Sequence, residues 1–155
     1  MIHLARTAVA VVLLCWMFGC ATELSPQEQV RQTLEDAENF ARDRNLDQLR
    51  EFVSKDYMDA EGRDRRGLTQ MVALYFRNTD TLFLRTRAGA IDFVGSDEAH
   101  ATVVAAIADV PIDDLDLNQL SADFVRFELT LRHEGKDWKI VEANWKSISL
   151  PEFLN

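Results

Sequence analysis

The spacing of apolar residues changes twice along the chain. An unbroken apolar run from Ala8 to Phe18, preceded by Arg6 and closed by Gly19-Cys20, comes first. Beyond it, Val30, Leu34, Ala37 and Ala41 recur every three or four positions with Phe40 beside them, the stripe of an amphipathic helix. Ser25-Pro26-Gln27-Glu28 supplies the start: Ser25 caps, Pro26 suits the first helical position and Glu28 completes a capping box, so the helix is expected from Pro26 to near Asp43. After Arg44-Asn45, the residues Leu46, Leu49, Phe52 and Val53 predict a second, shorter helix, with Tyr57 and Met58 continuing its contact. The polar, glycine-punctuated stretch 59–67 reads as a loop. Leu68, Met71, Val72, Tyr75 and Phe76 then form the inward face of a third helix that ends at Asn78-Thr79-Asp80.

From Thr81 the pattern turns strand-like. Segments 81–88, 90–94 and 99–110 are expected as strands, separated by Gly89 and by the turn Gly95-Ser96-Asp97-Glu98. Along 123–132, Val125, Phe127, Leu129 and Leu131 alternate with Phe124, Arg126, Glu128 and Thr130, the two-residue period of a half-buried strand. His133-Glu134-Gly135-Lys136-Asp137 predicts a hairpin turn into a last strand over 138–148. Glu128 and Glu142, and Arg126 and Lys146, suggest cross-strand ion pairs on the exposed sheet face. Helices first and a strand meander after give an α+β domain, with helices over one face of a curved antiparallel sheet.

The opening run reads as an address rather than as fold, because a basic start, a short apolar core and small residues at its end are the marks of an export signal. Met17-Phe18-Gly19-Cys20 resembles the lipobox of bacterial lipoproteins, which implies a signal peptide over 1–19, lipidation at Cys20 and a short linker over 20–24. Cleavage after Ala21, an uncleaved anchor helix and an ordinary buried helix stay open as alternatives. The resemblance places the domain in the bacterial cell envelope, facing the periplasm, with the outer membrane favoured because Ala21 follows the cysteine.

Export changes what the composition means. Without residues 1–19, which hold one arginine and no acid, the formal charge of −9 becomes −10, a balance that repels nucleic acid. It repels anionic headgroups too, so membrane residence is assigned to acyl chains. Cys15 and Cys20 are the only cysteines, so the body has no thiol for a disulfide framework, a Cys-based zinc site or a nucleophile. With 47% hydrophobic residues, six glycines and three prolines, the remainder of the 155-residue chain suits one folded domain. Arg63, Asp64, Arg65 and Arg66, with Arg77, Arg85 and Arg87, form the one basic concentration, and the neighbouring acids are expected to neutralise much of it.

The body from about Ser25 to Leu150, followed by a tail over 151–155, resembles the nuclear transport factor 2-like superfamily, which includes ketosteroid isomerases and polyketide-cyclase-like proteins. Carrying the likeness are the long first helix, the turn Asn45-Leu46-Asp47-Gln48-Leu49, the exit Lys55-Asp56-Tyr57-Met58 and the closing stretch Gly135-Lys136-Asp137-Trp138-Lys139-Ile140. It implies a cone whose cavity lies between helices and sheet. The residues offered to line that cavity are Phe52, Tyr57, Met71, Tyr75, Phe76, Phe127, Leu129 and Trp145, which suit a small apolar ligand. It also implies that a homodimer would form through the sheet face, with Phe124 and Trp138 or Trp145 as anchors. Candidate acid–base groups are Tyr57, Asp59 and His100, with Asp59 expected as a solvated carboxylate at the start of a loop. Asp114-Leu115-Asp116-Leu117-Asn118 imitates the start of a calcium loop, but Gln119 and Val125 stand where its glycine and closing glutamate belong. No metal or cofactor is assigned. The favoured role is non-catalytic binding of an apolar ligand or an envelope protein; the alternative is a small exported isomerase or dehydratase.

Overall fold

The computed structural model describes residues 24–111 and 122–155. The signal-peptide, lipobox and Cys20 assignments, and the calcium-like string 114–118, lie outside the described residues. The described chain forms helices α1 (Pro26–Arg42), α2 (Leu46–Glu51) and α3 (Arg65–Asn78), then strands β1 (Phe83–Val94), β2 (Glu98–Ala108), β3 (Ala122–Glu134) and β4 (Asp137–Ser147), and finally α4 (Leu150–Leu154). The strands form one antiparallel sheet in the order β1-β2-β3-β4, a simple meander. Among the described residues no helix is long and apolar enough to cross a membrane.

Local chemistry sets the boundaries. The Ser25 hydroxyl accepts from the Glu28 N–H while Glu28 accepts from the Ser25 N–H, closing the capping box that starts α1. Asn45 caps α2 through Gln48. Asp64 caps α3 through the Gly67 N–H, which is why that helix begins at Arg65, earlier than its apolar stripe suggests. Segments 81–88 and 90–94 are one strand rather than two. Gly89 lies in a bulge between Ala88 and Ile91, where a Cβ would stand 3.3 Å from the Thr102 carbonyl oxygen.

One face of the sheet meets α1. Val30 and Leu34 pack on Ala99 and Ala101 of β2, Leu131 of β3 and Trp138 of β4, with Ile91 and Phe93 alongside. The alanines let the helix approach closely, and Glu38 of α1 ties the helix to β1 by accepting from Thr86. The opposite face is partly covered by α4, which stands where a tail was expected. Phe153 of α4 packs on Val104 and Ala106, its ring tilted against Phe124 with centroids 5.2 Å apart, and Arg87 donates to the Phe153 carbonyl. Of the expected sheet-face anchors, Phe124 and Trp138 are packed within the chain, while Trp145 remains 36% exposed. Phe124 lies under α4, while Trp138 and Trp145 share the parity of the inward residues, with Trp138 in the α1 core. Register also removes the expected ion pairs: Arg126 faces Lys146, and Glu128 and Glu142 face Asn144 and Thr130.

Candidate functional site

Beyond α2 the chain pairs with the free edge of β4 on either side of a turn at Lys55-Asp56, where the Tyr57 N–H donates to the Ser54 carbonyl. Ser54 N–H donates to the Ile140 carbonyl, Ile140 N–H to the Phe52 carbonyl, and Met58 N–H to the Val141 carbonyl. Extended backbone alternates its side chains, so Tyr57 turns inward to 1% exposure while Met58, expected to continue the same contact, is left 53% exposed. Asp59 follows at the start of a tight turn in which Gly62 takes φ 76°, a conformation that favours glycine.

This turn is built around the Asp59 carboxylate, which is buried rather than solvated. Its Oδ1 accepts from the N–H groups of Glu61 (3.1 Å) and Arg63 (2.8 Å), and its Oδ2 accepts from Arg63 Nε at 2.7 Å. Arg63 also pairs with Glu61 and lies over the Trp145 ring, 4.9 Å from the centroid. Trp145 faces Phe127 across the β3–β4 pair. Tyr57, Asp59, Arg63 and Trp145 thus form one cluster at the edge of the concave face.

The electrostatics follow from the contacts. Burial alone would raise the Asp59 pKa, but the Arg63 backbone N–H, its guanidinium and the Glu61 N–H together outweigh it and hold the carboxyl below its ordinary range. Burial is also the main cause that pushes the Tyr57 hydroxyl up to about 12, and the Asp59 charge adds to it. Among the described residues the Tyr57 oxygen has no aligned hydrogen-bond partner. A general acid or base works best with a pKa near the operating pH, and both groups are driven away from neutrality in opposite directions.

His100 is not part of this cluster. With Ala99 and Ala101 inward, strand parity turns it to the other sheet face, half-exposed and 3.3 Å from Glu98. The proposed lining residues divide in the same way. Phe127, Leu129 and Trp145 share the inward face, but Leu129 packs on the α1 core. Phe52 stacks on Phe40 with centroids 5.8 Å apart, Phe76 lies under Arg44, and Tyr75 borders a separate hollow with Asp123 and Ile107. Met71 stays half-buried on α3.

The neighbouring acids do neutralise part of the basic concentration, Asp59 and Glu61 both pairing with Arg63; what the sequence does not show is that the Asp59 partner is buried. A hollow of about 610 Å³ is bordered by Leu24 and Gln29, by Gln48 and Phe52, and by His133 and Trp138 of the β3–β4 hairpin. Among the described residues no group of three or more His, Cys, Asp or Glu side chains is placed to hold a metal ion.

No family model matches the sequence, and no curated protein matches it. Solved structures do match in shape. A putative scytalone dehydratase from Novosphingobium aromaticivorans superposes with a TM-score of 0.65 at 12% identity, covering 79% of this chain and 84% of its own. A ketosteroid isomerase-like protein from Erwinia carotovora atroseptica gives 0.60 at 9% identity, covering 79% and 95%. A nuclear transport factor 2-like protein of unknown function from Shewanella oneidensis gives 0.58 at 16% identity, covering 78% and 98%. With its helices on a curved four-stranded antiparallel meander, the chain has the nuclear transport factor 2-like fold.

Proposed function

We propose that this protein is a non-catalytic binding module of the bacterial envelope, anchored by a lipid on Cys20, whose domain takes a small apolar ligand or another envelope protein. The observation that carries the non-catalytic part is the Asp59 carboxylate. Three hydrogen bonds from the Glu61 and Arg63 backbones and the Arg63 side chain commit it to holding its own turn. A base so engaged, beside a tyrosine titrating near 12, is poorly matched to proton transfer at neutral pH. The anchor rests on the residues Met17-Phe18-Gly19-Cys20.

Intact mass and radiolabelled-lipid incorporation, compared between wild type and Cys20→Ser, test the anchor: processing and membrane partition that do not change on substitution refute it. A mass-spectrometric search for a copurifying small molecule tests the binding role. A second reading, a small exported isomerase or dehydratase, draws support from the buried Tyr57 hydroxyl beside Asp59, which has no aligned partner among the described residues. Shape matches named scytalone dehydratase and ketosteroid isomerase-like point the same way. That reading requires turnover of some substrate to fall sharply in Tyr57→Phe, and it fails if turnover is unchanged.

A further inference from the structure

We propose that a basic hollow between α2 and the start of α3 binds the phosphate of an anionic lipid headgroup and turns that side of the domain toward the bilayer. The inference rests on the lipid-anchor reading for its geometry, while its charge chemistry stands on the hollow itself.

Arg50, Lys55, Arg65 and Arg66 border a hollow of about 420 Å³ with a single carboxylate, Asp64, on its wall. That is an unusual balance in a chain of net charge −9. Asp64 is occupied, accepting the Gly67 N–H at 2.8 Å. Arg65 is fixed in place by donating to the Arg50 carbonyl at 2.8 Å and to the Glu51 carboxylate at 3.1 Å, and the same carboxylate pairs with Arg50 at 3.8 Å. Lys55 and Arg66 are exposed and make no hydrogen bond or ion pair within the described residues. The basic run in the sequence is thus split by the fold. Arg63 leaves it for Asp59, Glu61 and Trp145, and Arg50 and Lys55 take its place beside Arg65 and Arg66. Positioned Arg and Lys around an open hollow are the donors that a phosphate oxyanion requires.

Location supplies the source of that phosphate. Glu51, which grips Arg65, also borders the groove that Leu24 lines. Leu24 lies four residues after Cys20, and four residues reach at most about 14 Å. A tether that short keeps this side of the domain close to the headgroups, on the scale of the roughly 10 Å over which charges act at about 0.1 M salt. The groove between tether and hollow is nearly balanced, with Asp36, Glu51 and Asp137 against Lys136 and Lys139. The hollow is therefore the attractive feature on that side.

The test uses the full chain carrying Cys20→Ser, so that no acyl chain contributes, in cosedimentation with vesicles. Phosphatidylcholine vesicles are compared with equimolar phosphatidylcholine–phosphatidylglycerol vesicles, and the ratio of the two partition coefficients is the readout. The apolar segment 8–18 enters both measurements alike. A cation at an anionic surface is worth a factor of about five, so adding Lys55→Gln and Arg66→Gln should cut the preference for anionic vesicles by at least about ten-fold. Raising salt from about 0.1 M to about 0.5 M should do the same to the parent chain. Both side chains are exposed, and an unchanged Tm confirms that the fold is retained. Equal partition into the two vesicles, or a preference that survives both substitutions, overturns the proposal. A thermal shift with inorganic phosphate but no vesicle preference also overturns it, assigning the hollow to a soluble phosphorylated compound. If the anionic preference holds while Cys20→Ser leaves processing and membrane partition in cells unaltered, the anchor reading fails and the headgroup site stands.

Discussion

The two ends of the concave face are built differently. Under α1, Val30 and Leu131 are wholly covered and Trp138 nearly so, packed on the alanines of β2. Under α3 no helical residue is buried, and Leu74 and Tyr75 are exposed. α3 leans on α2 instead and is held at its start by the Asp64 cap and the Arg65 contacts to Arg50 and Glu51. Small side chains on the sheet let one helix settle into close packing, whereas the other end carries Phe127 opposite Trp145, whose ring lies under Arg63. Close packing is concentrated at the α1 end, and the α3 end is the more loosely packed of the two.

The largest effect expected from this contrast is at Leu131. Leu131→Ala should cost about 2–5 kcal/mol in urea unfolding, the range for a buried leucine that leaves a cavity. Met71→Ala on half-buried α3 should cost about 1 kcal/mol or less. Equal losses at the two sites would erase the distinction between the ends.

Asp59→Asn comes next. Without the carboxylate the turn loses its centre and Arg63 loses its anchor over Trp145, so Tm should fall and Trp145 fluorescence should shift toward that of a solvated indole. Because the folded pKa lies below the ordinary aspartate value of 3.8, the stability Asp59 supplies is present above that pH and is lost as pH falls through the depressed folded value. Acid unfolding of Asp59→Asn should accordingly show a weaker pH dependence than wild type in that window.

Much of this architecture was legible in the sequence. The Ser25–Glu28 capping box and the apolar stripe located α1 to within a residue at its far end, and the alternation along β3 separated its two faces, of which the one carrying Leu129 and Leu131 meets α1. The misses have local causes. α4 carries the same signature as α1, with Ser149 N–H and hydroxyl donating to Glu152, but five residues offered too short an apolar pattern to read as a helix. Asp59 looked solvated because its neighbours are charged. Its burial depends on Phe52–Met58 pairing with β4, a long-range contact that periodicity does not encode. His100 stands on the other sheet face from Tyr57 and Asp59 for a reason that strand parity contains once the register is known.

The smallest stability effect belongs to Tyr57→Phe. Its hydroxyl makes no aligned hydrogen bond among the described residues, so its removal should leave stability at neutral pH nearly unchanged. The alkaline limb is where it tells. With the folded pKa raised from 10.0 to about 12, the folded state holds the Tyr57 proton more tightly, so wild-type stability should fall as pH rises between those values. Tyr57→Phe should lose that slope. The chain has two tyrosines, and Tyr75 is also pushed up, by burial first and by the Asp123 charge second, so ultraviolet difference titration reads a small set of groups.

The most direct measurement is the pH titration of the Asp59 side-chain carboxyl by carbon-13 NMR in the intact chain. The account predicts a single step below 3.8, with the carboxylate ionised throughout the neutral range and bound to Arg63. A midpoint displaced upward toward neutrality would contradict it and would return Asp59 to the role of a proton-transferring group beside Tyr57.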